Sequence, residues 1–201
     1  MHFLIIGDSH IPDRADHLPA EIQKGIESFK AQSAFDGIFF TGDFSKHILI
    51  INQLKQWAGR GFLKIVQGNM DEEEIDPFPI FDTYSIPQTE VKIGVTHGTQ
   101  ISPRGDNPAA EQFALREGVQ ILIIGHTHAA GVFLAPSGIL ILNPGSCVGA
   151  WSFIASGIPS FLILDIIGTQ IRVTLYEKQQ IELRKTKFCY AIDGKKIVAT
   201  S

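Results

Sequence analysis

Five short polar clusters punctuate the first 130 residues: Gly7-Asp8-Ser9-His10, Gly42-Asp43, Gly68-Asn69, Thr96-His97-Gly98 and Gly125-His126-Thr127-His128. They present two carboxylates, one amide and four imidazoles, the latter from a chain with seven histidines. Such donors, with no thiolate among them, suit borderline-hard divalent cations such as manganese, iron, zinc or cobalt. In Asp-x-His and His-x-His the paired donors alternate along extended backbone, so both face one side. A carboxylate between two cations can bridge them, and two ions about 3.5 to 4 Å apart activate a water and clamp a phosphoryl group. Any one of these motifs reads equally well as a turn or a cap. Their joint occurrence is what points to a metal site.

Each cluster follows an apolar run. Residues 2–6, 37–40, 62–66, 91–95 and 121–124 are rich in Ile, Val and Phe and read as buried strands. Between them, 19–32 places Ile22, Ile26 and Phe29 on one helical face. Residues 45–58 read as a second helix, with Ser45 as cap and Gly59 as stop. A third runs over 107–117, capped by Asn107, with Pro108 at its first position and Gly118 closing it. Loops at the carboxyl ends of strands in an open α/β sheet converge on one crevice, which would gather the five clusters. Beyond Gly125 the pattern becomes β-rich: 132–134, 139–142, 161–166, 171–177 and 181–188 read as strands. The expected division is one domain over 1–188 and a polar, loosely held C-terminal tail over 189–201.

At 201 residues, 44% hydrophobic and 19% charged, the chain is expected to be globular and soluble rather than disordered. Its net charge of -4 supplies no basic surplus for nucleic acid. Cys147 and Cys189 form no CxxC pair, no apolar stretch reaches membrane-spanning length, and MHFLIIGDSH lacks a basic leader. A cytoplasmic address is expected, with no direct membrane insertion.

The ordered set GDSH, GD, GN, THG and GHTH resembles the calcineurin-like metallophosphoesterase superfamily, over nearly the whole chain up to about residue 188. HIPDRADHLPAEI, THGTQISPRGD, LNPGSCVGAW and IPSFLILDI are most similar to its small branch, which holds prokaryotic phosphodiesterases and the vacuolar protein sorting 29 subunit of retromer. The resemblance implies an α/β fold, a four-layer α-β-β-α sandwich of two mixed sheets flanked by helices. It also implies two divalent cations, manganese, zinc, iron or cobalt. Carried over position by position, Asp8, His10, Asp43 and His128 hold one; Asp43, Asn69, His97 and His126 hold the other, with Asp43 bridging. Asn143, in LNPGS, is expected close to the site.

The activity so implied is phosphodiester hydrolysis by a metal-bound hydroxide, with Asn69, His97 and His128 contributing to catalysis. Many members carry a general-acid His after Gly-Asn. Here the residue is Met70, which has no proton to donate. The alternative is a retromer-like scaffold that docks on a helical-solenoid protein partner, with the metal site structural, and that would sit on endosome-like membranes only through that partner. For it, the apolar run 148–154 would expose Trp151, Phe153 and Ile154 as a contact surface; the competing expectation is that these residues fill the core. Arg14 and Arg104 could meet a phosphate or simply be solvated, and His17 and His47 are expected at the surface. The acids of 71–74 are expected in the first turn of a helix.

Overall fold

The computed structural model describes residues 1–45, 48–71 and 78–200, with the backbone alone for 48 and 49. His47 and residues 72–74, and with them the expectations placed there, lie outside the described residues.

The expected runs form strands β1 (His2–Ile6), β2 (Gly37–Phe40), β3 (Phe62–Ile65), β5 (Lys92–Thr96) and β6 (Ile121–Ile124). The β-rich half supplies β7 (Gly131–Leu134), β8 (Leu140–Asn143), β9 (Ser160–Ile167), β10 (Gln170–Gln179) and β11 (Glu182–Asp193). Two further strands, β4 (Phe81–Ser85) and β12 (Lys196–Ala199), carry no strong apolar run. Seven strands join in the order β12-β11-β10-β9-β1-β2-β3 and five in the order β4-β5-β6-β8-β7. Both sheets are mixed: β1 runs parallel to β2 and antiparallel to β9, and β6 lies parallel to β5 and β8 while β4 and β7 are antiparallel edges.

Alternation along the strands builds the layers. On β1, Phe3 and Ile5 enter a core shared by the two sheets, with Val95, Ile123 and Leu142 of the opposing sheet. Leu4 and Ile6 face the other way, against Ile22 and Ile26 of α1 (Ala20–Gln32) and Leu54 and Trp57 of α2 (Ile48–Ala58). On the far side, Leu122, Ile124 and Ile141 pack against Ala110, Phe113 and Ala114 of α3 (Asn107–Glu117). A period of two thus sorts one strand's side chains into two cores, and the expected α-β-β-α order results. Among the described residues no helix is long and apolar enough to cross a membrane.

Two local expectations change. The cap of α3 is Asp106, whose side chain accepts from the Ala109 N–H at 2.7 Å, one residue before Asn107. Of the residues expected as a loose tail, 189–193 and 196–199 belong to the large sheet instead. Over 190–199, β11 and β12 pair from Tyr190↔Ala199 to Asp193↔Lys196, and Ile192 and Ile197 are buried in the inter-sheet core. A polar strand with one inward apolar face looks like a tail in sequence, because every second residue is solvated.

Candidate metal centre

The donor clusters sit where β1, β2, β3, β5 and β6 end. Backbone pairing continues past these ends: the Thr41 N–H donates to the Ile6 carbonyl at 3.1 Å, Asp8 N–H to Gly42 at 3.0 Å, His10 N–H to Asp43 at 2.9 Å, and Gly125 N–H to His97 at 3.0 Å. The loops are therefore extensions of the sheets and inherit their rigidity. Close approach demands glycine in these loops, most directly beside the two carboxylates. A Cβ on Gly68 would fall onto the Asp43 carboxylate, and one on Gly125 would lie 2.6 Å from Asp8 Oδ2.

Among the described residues eight non-glycine residues have positive φ, and five of them are Asp8, His10, Asp43, His126 and His128. The left-handed region costs a side-chain-bearing residue about 1 to 3 kcal/mol, and such strain collects at sites that the surrounding fold over-determines.

The seven expected ligands meet in one continuous string of contacts. His128 Nε2 lies 3.2 Å from Asp8 Oδ1 and 3.1 Å from His10 Nε2. Asp43 Oδ2 is 3.3 Å from His10 Nε2 and 3.4 Å from His97 Nε2. His97 Nε2 in turn is 3.1 Å from Asn69 Oδ1 and 3.2 Å from His126 Nδ1. Donors bound at about 2.0 to 2.2 Å to one cation stand about 3 to 3.5 Å apart, so these spacings fit ligand edges. Asp8, His10, Asp43 and His128 bring one donor atom each within 4.8 Å of one another, all buried, and form a cluster that could hold a metal ion. Asp43 stands between the two halves of the string.

Second partners orient the donors. Nδ1 of His97 lies 2.7 Å from the Thr41 carbonyl and Nδ1 of His128 lies 2.9 Å from the Ala150 carbonyl. A carbonyl there calls for a proton on Nδ1, which leaves the Nε2 lone pair for the centre. Asp8 accepts from the His126 N–H at 3.1 Å and the Thr41 hydroxyl at 3.2 Å. Asn143 donates to the Gly125 carbonyl and the Thr127 hydroxyl, bracing the loop that carries His126 and His128.

Asp71 was expected only as an acid in a helical turn. Its carboxylate accepts four backbone N–H groups, from Asp43 (2.9 Å), Phe44 (2.9 Å), Ser45 (3.1 Å) and Gly68 (2.7 Å). In return the Met70 N–H donates to Asp43 Oδ1 at 2.9 Å. The Asp43 and Asn69 loops are thereby stitched together in both directions. In sequence, an acid three residues after Gly68 was the only trace of this role.

The electrostatics are divided. Burial, helped by the charge of Arg14 and resisted by Asp43, lowers the His10 pKa to about 4. Burial, the charge of His97 and that of Arg104 lower His126 to about 4. Burial would also lower His97, yet its hydrogen bond to Asp43 and the carboxylates of Asp8 and Asp43 outweigh this and raise it to about 9. Burial would raise Asp43, but the hydrogen bond and charge of His97 and the Met70 N–H hold it down to about 2. Without cations, His97 and Asp43 are an ion pair in the position where the bridge would form.

The site opens into a cavity of about 140 Å³, lined by Asp43, Asn69, His126 and His128 together with Arg14, Arg104, Trp151 and Phe153. Trp151, Phe153 and Ile154 are 67%, 87% and 47% exposed, so these three do not fill the core. Cys147 is buried and its thiol pushed up by that burial, while Cys189 is exposed. His17 is exposed, as expected. Met70 is 44% exposed and serves the centre only through its backbone.

The profile of the calcineurin-like phosphoesterase superfamily domain matches residues 1–169. A probable metallophosphoesterase of Methanocaldococcus jannaschii is 34% identical over 142 residues. The match covers 71% of this chain and spans 66% of that relative's length, just under two thirds. Vacuolar Protein Sorting 29 from Cryptosporidium parvum superposes with a TM-score of 0.84 at 29% identity, covering 95% of this chain and 98% of that one. Wild-type vacuolar protein sorting 29 from Entamoeba histolytica, solved in complex with Zn, superposes with a TM-score of 0.82 at 27% identity, covering 94% and 99%.

Proposed function

The chain belongs to the calcineurin-like phosphoesterase superfamily, and from that membership we propose that it is a two-metal-dependent phosphodiesterase. The observation that carries the proposal is the position of Asp43, whose Oδ2 stands 3.3 Å from His10 and 3.4 Å from His97, between two sets of donors. Asp8, His10, Asp43 and His128 would hold one cation, and Asp43, Asn69, His97 and His126 the other. Manganese, zinc, iron and cobalt all suit this N/O donor set. Bound cations supply an activated water and offset charge on phosphoryl oxygens.

The chain's own residues set the stage for that chemistry. Thr41 and Ala150 hold two imidazoles in the tautomer that faces inward. Asp71 and Met70 fix the Asp43 and Asn69 loops against each other. Asn69, His97 and His128 would contribute to catalysis; Asn69 and His128 line the cavity, while His97 is buried. No side chain at position 70 donates a proton to the departing oxygen, so esters with good leaving groups are favoured. With manganese added, purified protein hydrolyses bis(4-nitrophenyl) phosphate and the Asp43→Ala variant does not. Equal rates for the two proteins overturn the proposal.

A second reading, a retromer-like scaffold docked on a helical-solenoid protein, draws support from the full-length likeness to vacuolar protein sorting 29 structures and from the exposure of Trp151, Phe153 and Ile154. Metal analysis and turnover on one sample separate the two. Stoichiometric metal with no hydrolysis supports the scaffold; metal with hydrolysis supports the enzyme.

A further inference from the structure

Residues 150–153 cross the opening of the centre with alternating duties. The Ala150 carbonyl faces His128 Nδ1 at 2.9 Å, and the Ser152 hydroxyl donates to the Thr127 carbonyl at 2.6 Å; both residues are buried. Their neighbours point outward. Trp151 and Phe153 are mostly exposed, with ring centroids 5.0 Å apart at an interplanar angle of 60°. The loop is thus fastened at every second residue to the segment that carries His128, and it holds two aromatic rings on the wall of the cavity that Asp43, Asn69 and His128 share.

Two guanidinium groups line the same cavity. Arg14 donates through Nη1 to the Trp151 carbonyl at 2.8 Å, and Arg104 donates to the His126 carbonyl. A guanidinium carries five N–H donors, so each anchoring bond leaves others for an anion. A single exposed aromatic residue is ordinary on a protein surface. Two adjacent rings on a tethered loop, beside paired cations and buried donor atoms, match a ligand with a flat apolar part and an anionic part. Such rings lose little conformational entropy on binding.

We propose that Trp151 and Phe153 form a subsite for a planar aromatic substituent of the substrate, with Arg14 and Arg104 receiving its phosphate. The substrate class is an aryl- or base-bearing phosphoester rather than a purely aliphatic one. The placement of the phosphate rests on the phosphodiesterase reading; the aromatic preference is measurable without turnover.

The test uses zinc-loaded protein titrated with phenylphosphonate and with methylphosphonate, followed by calorimetry and by tryptophan emission. Phenylphosphonate is expected to bind about tenfold more tightly, a ratio in the range of one aromatic contact. It is also expected to change the emission of exposed Trp151 over the steady background of Trp57, which is 2% exposed. In Trp151→Ala/Phe153→Ala the affinity ratio collapses to near one with zinc content retained, whereas Trp151→Phe keeps most of it. Equal affinities for the two phosphonates, the expected result if this face serves a protein partner, overturn the subsite. So does a preference that survives the double variant. If the preference is present and no phosphodiester is hydrolysed, the hydrolase reading fails and the subsite stands.

Discussion

The two ends of the donor string differ in exposure. Asp8, His10 and His128 are at most 2% exposed, walled in by Thr41, Ser146 and Ala150. At the other end His97 is buried, but His126 is half-buried and Asn69 and Met70 are exposed. The first end is held by a strained, hydrogen-bonded scaffold and meets the cavity only through His128. The second reaches the cavity through Asn69 and His126, and it carries Met70, whose side chain has no proton to donate. Two cations bound across Asp43 would therefore differ, one tight and buried, the other weaker and open to solvent.

Removing the shared residue should erase this asymmetry with the largest effect. Asp43→Ala is expected to lose both cations by elemental analysis and to slow phosphodiester hydrolysis about a thousandfold or more, the equivalent of about 4 kcal/mol of lost transition-state stabilisation. Retention of one full equivalent of metal would show that Asp43 does not bridge.

Loosening the stitch between the loops comes next. Asp71→Asn replaces an acceptor of four N–H groups by an amide that can oppose one of them. Metal affinity should weaken about 10- to 100-fold, the usual cost of disturbing a ligand's support. The loss is expected in the weaker of two steps of a zinc titration, since Asp71 ties Gly68, next to Asn69, to the Asp43 loop.

Protons separate the ends again. His97 is raised to about 9 and so carries a proton at neutral pH, which a cation must displace, whereas His10 at about 4 is already neutral there. Uptake of the second cation should weaken about tenfold per unit as pH falls below 9, one proton being released on binding. Calorimetry in buffers of different ionisation enthalpy counts that proton; a release of zero contradicts the assignment. The smallest effect is expected from Met70→His, which adds a proton donor at the open end. Esters with poor leaving groups should gain about tenfold, below the full 10² to 10⁴ of an evolved general acid, and 4-nitrophenyl esters little.

Continuous apolar runs made β1, β2 and β6 readable, since a strand buried on both faces needs apolar side chains at every position. β4 and β12 escaped for the opposite reason. Their edge positions bury part of one face only, as Ile197 does while Lys196 and Val198 stay exposed. Asp71 looked like an ordinary turn acid because its four donors come from backbone, which has no sequence signature. The run 148–154 has no period, so its apolar content could not tell core from cavity wall until Ala150 and Ser152 were seen to anchor it.

The chemical identity and order of the donors are properties of the sequence: carboxylate, imidazole and amide occur only where Asp, His and Asn are written, and their strand-end spacing survives any fold of this class. Tertiary structure alone decided that donors as far apart as Asp8 and His128 meet at 3.2 Å, and that five of the seven sit at positive φ. It also decided which end of the string is the more deeply buried. Those outcomes depend on how two sheets close on a shared core, and that closure is set by the summed packing of residues far from the site.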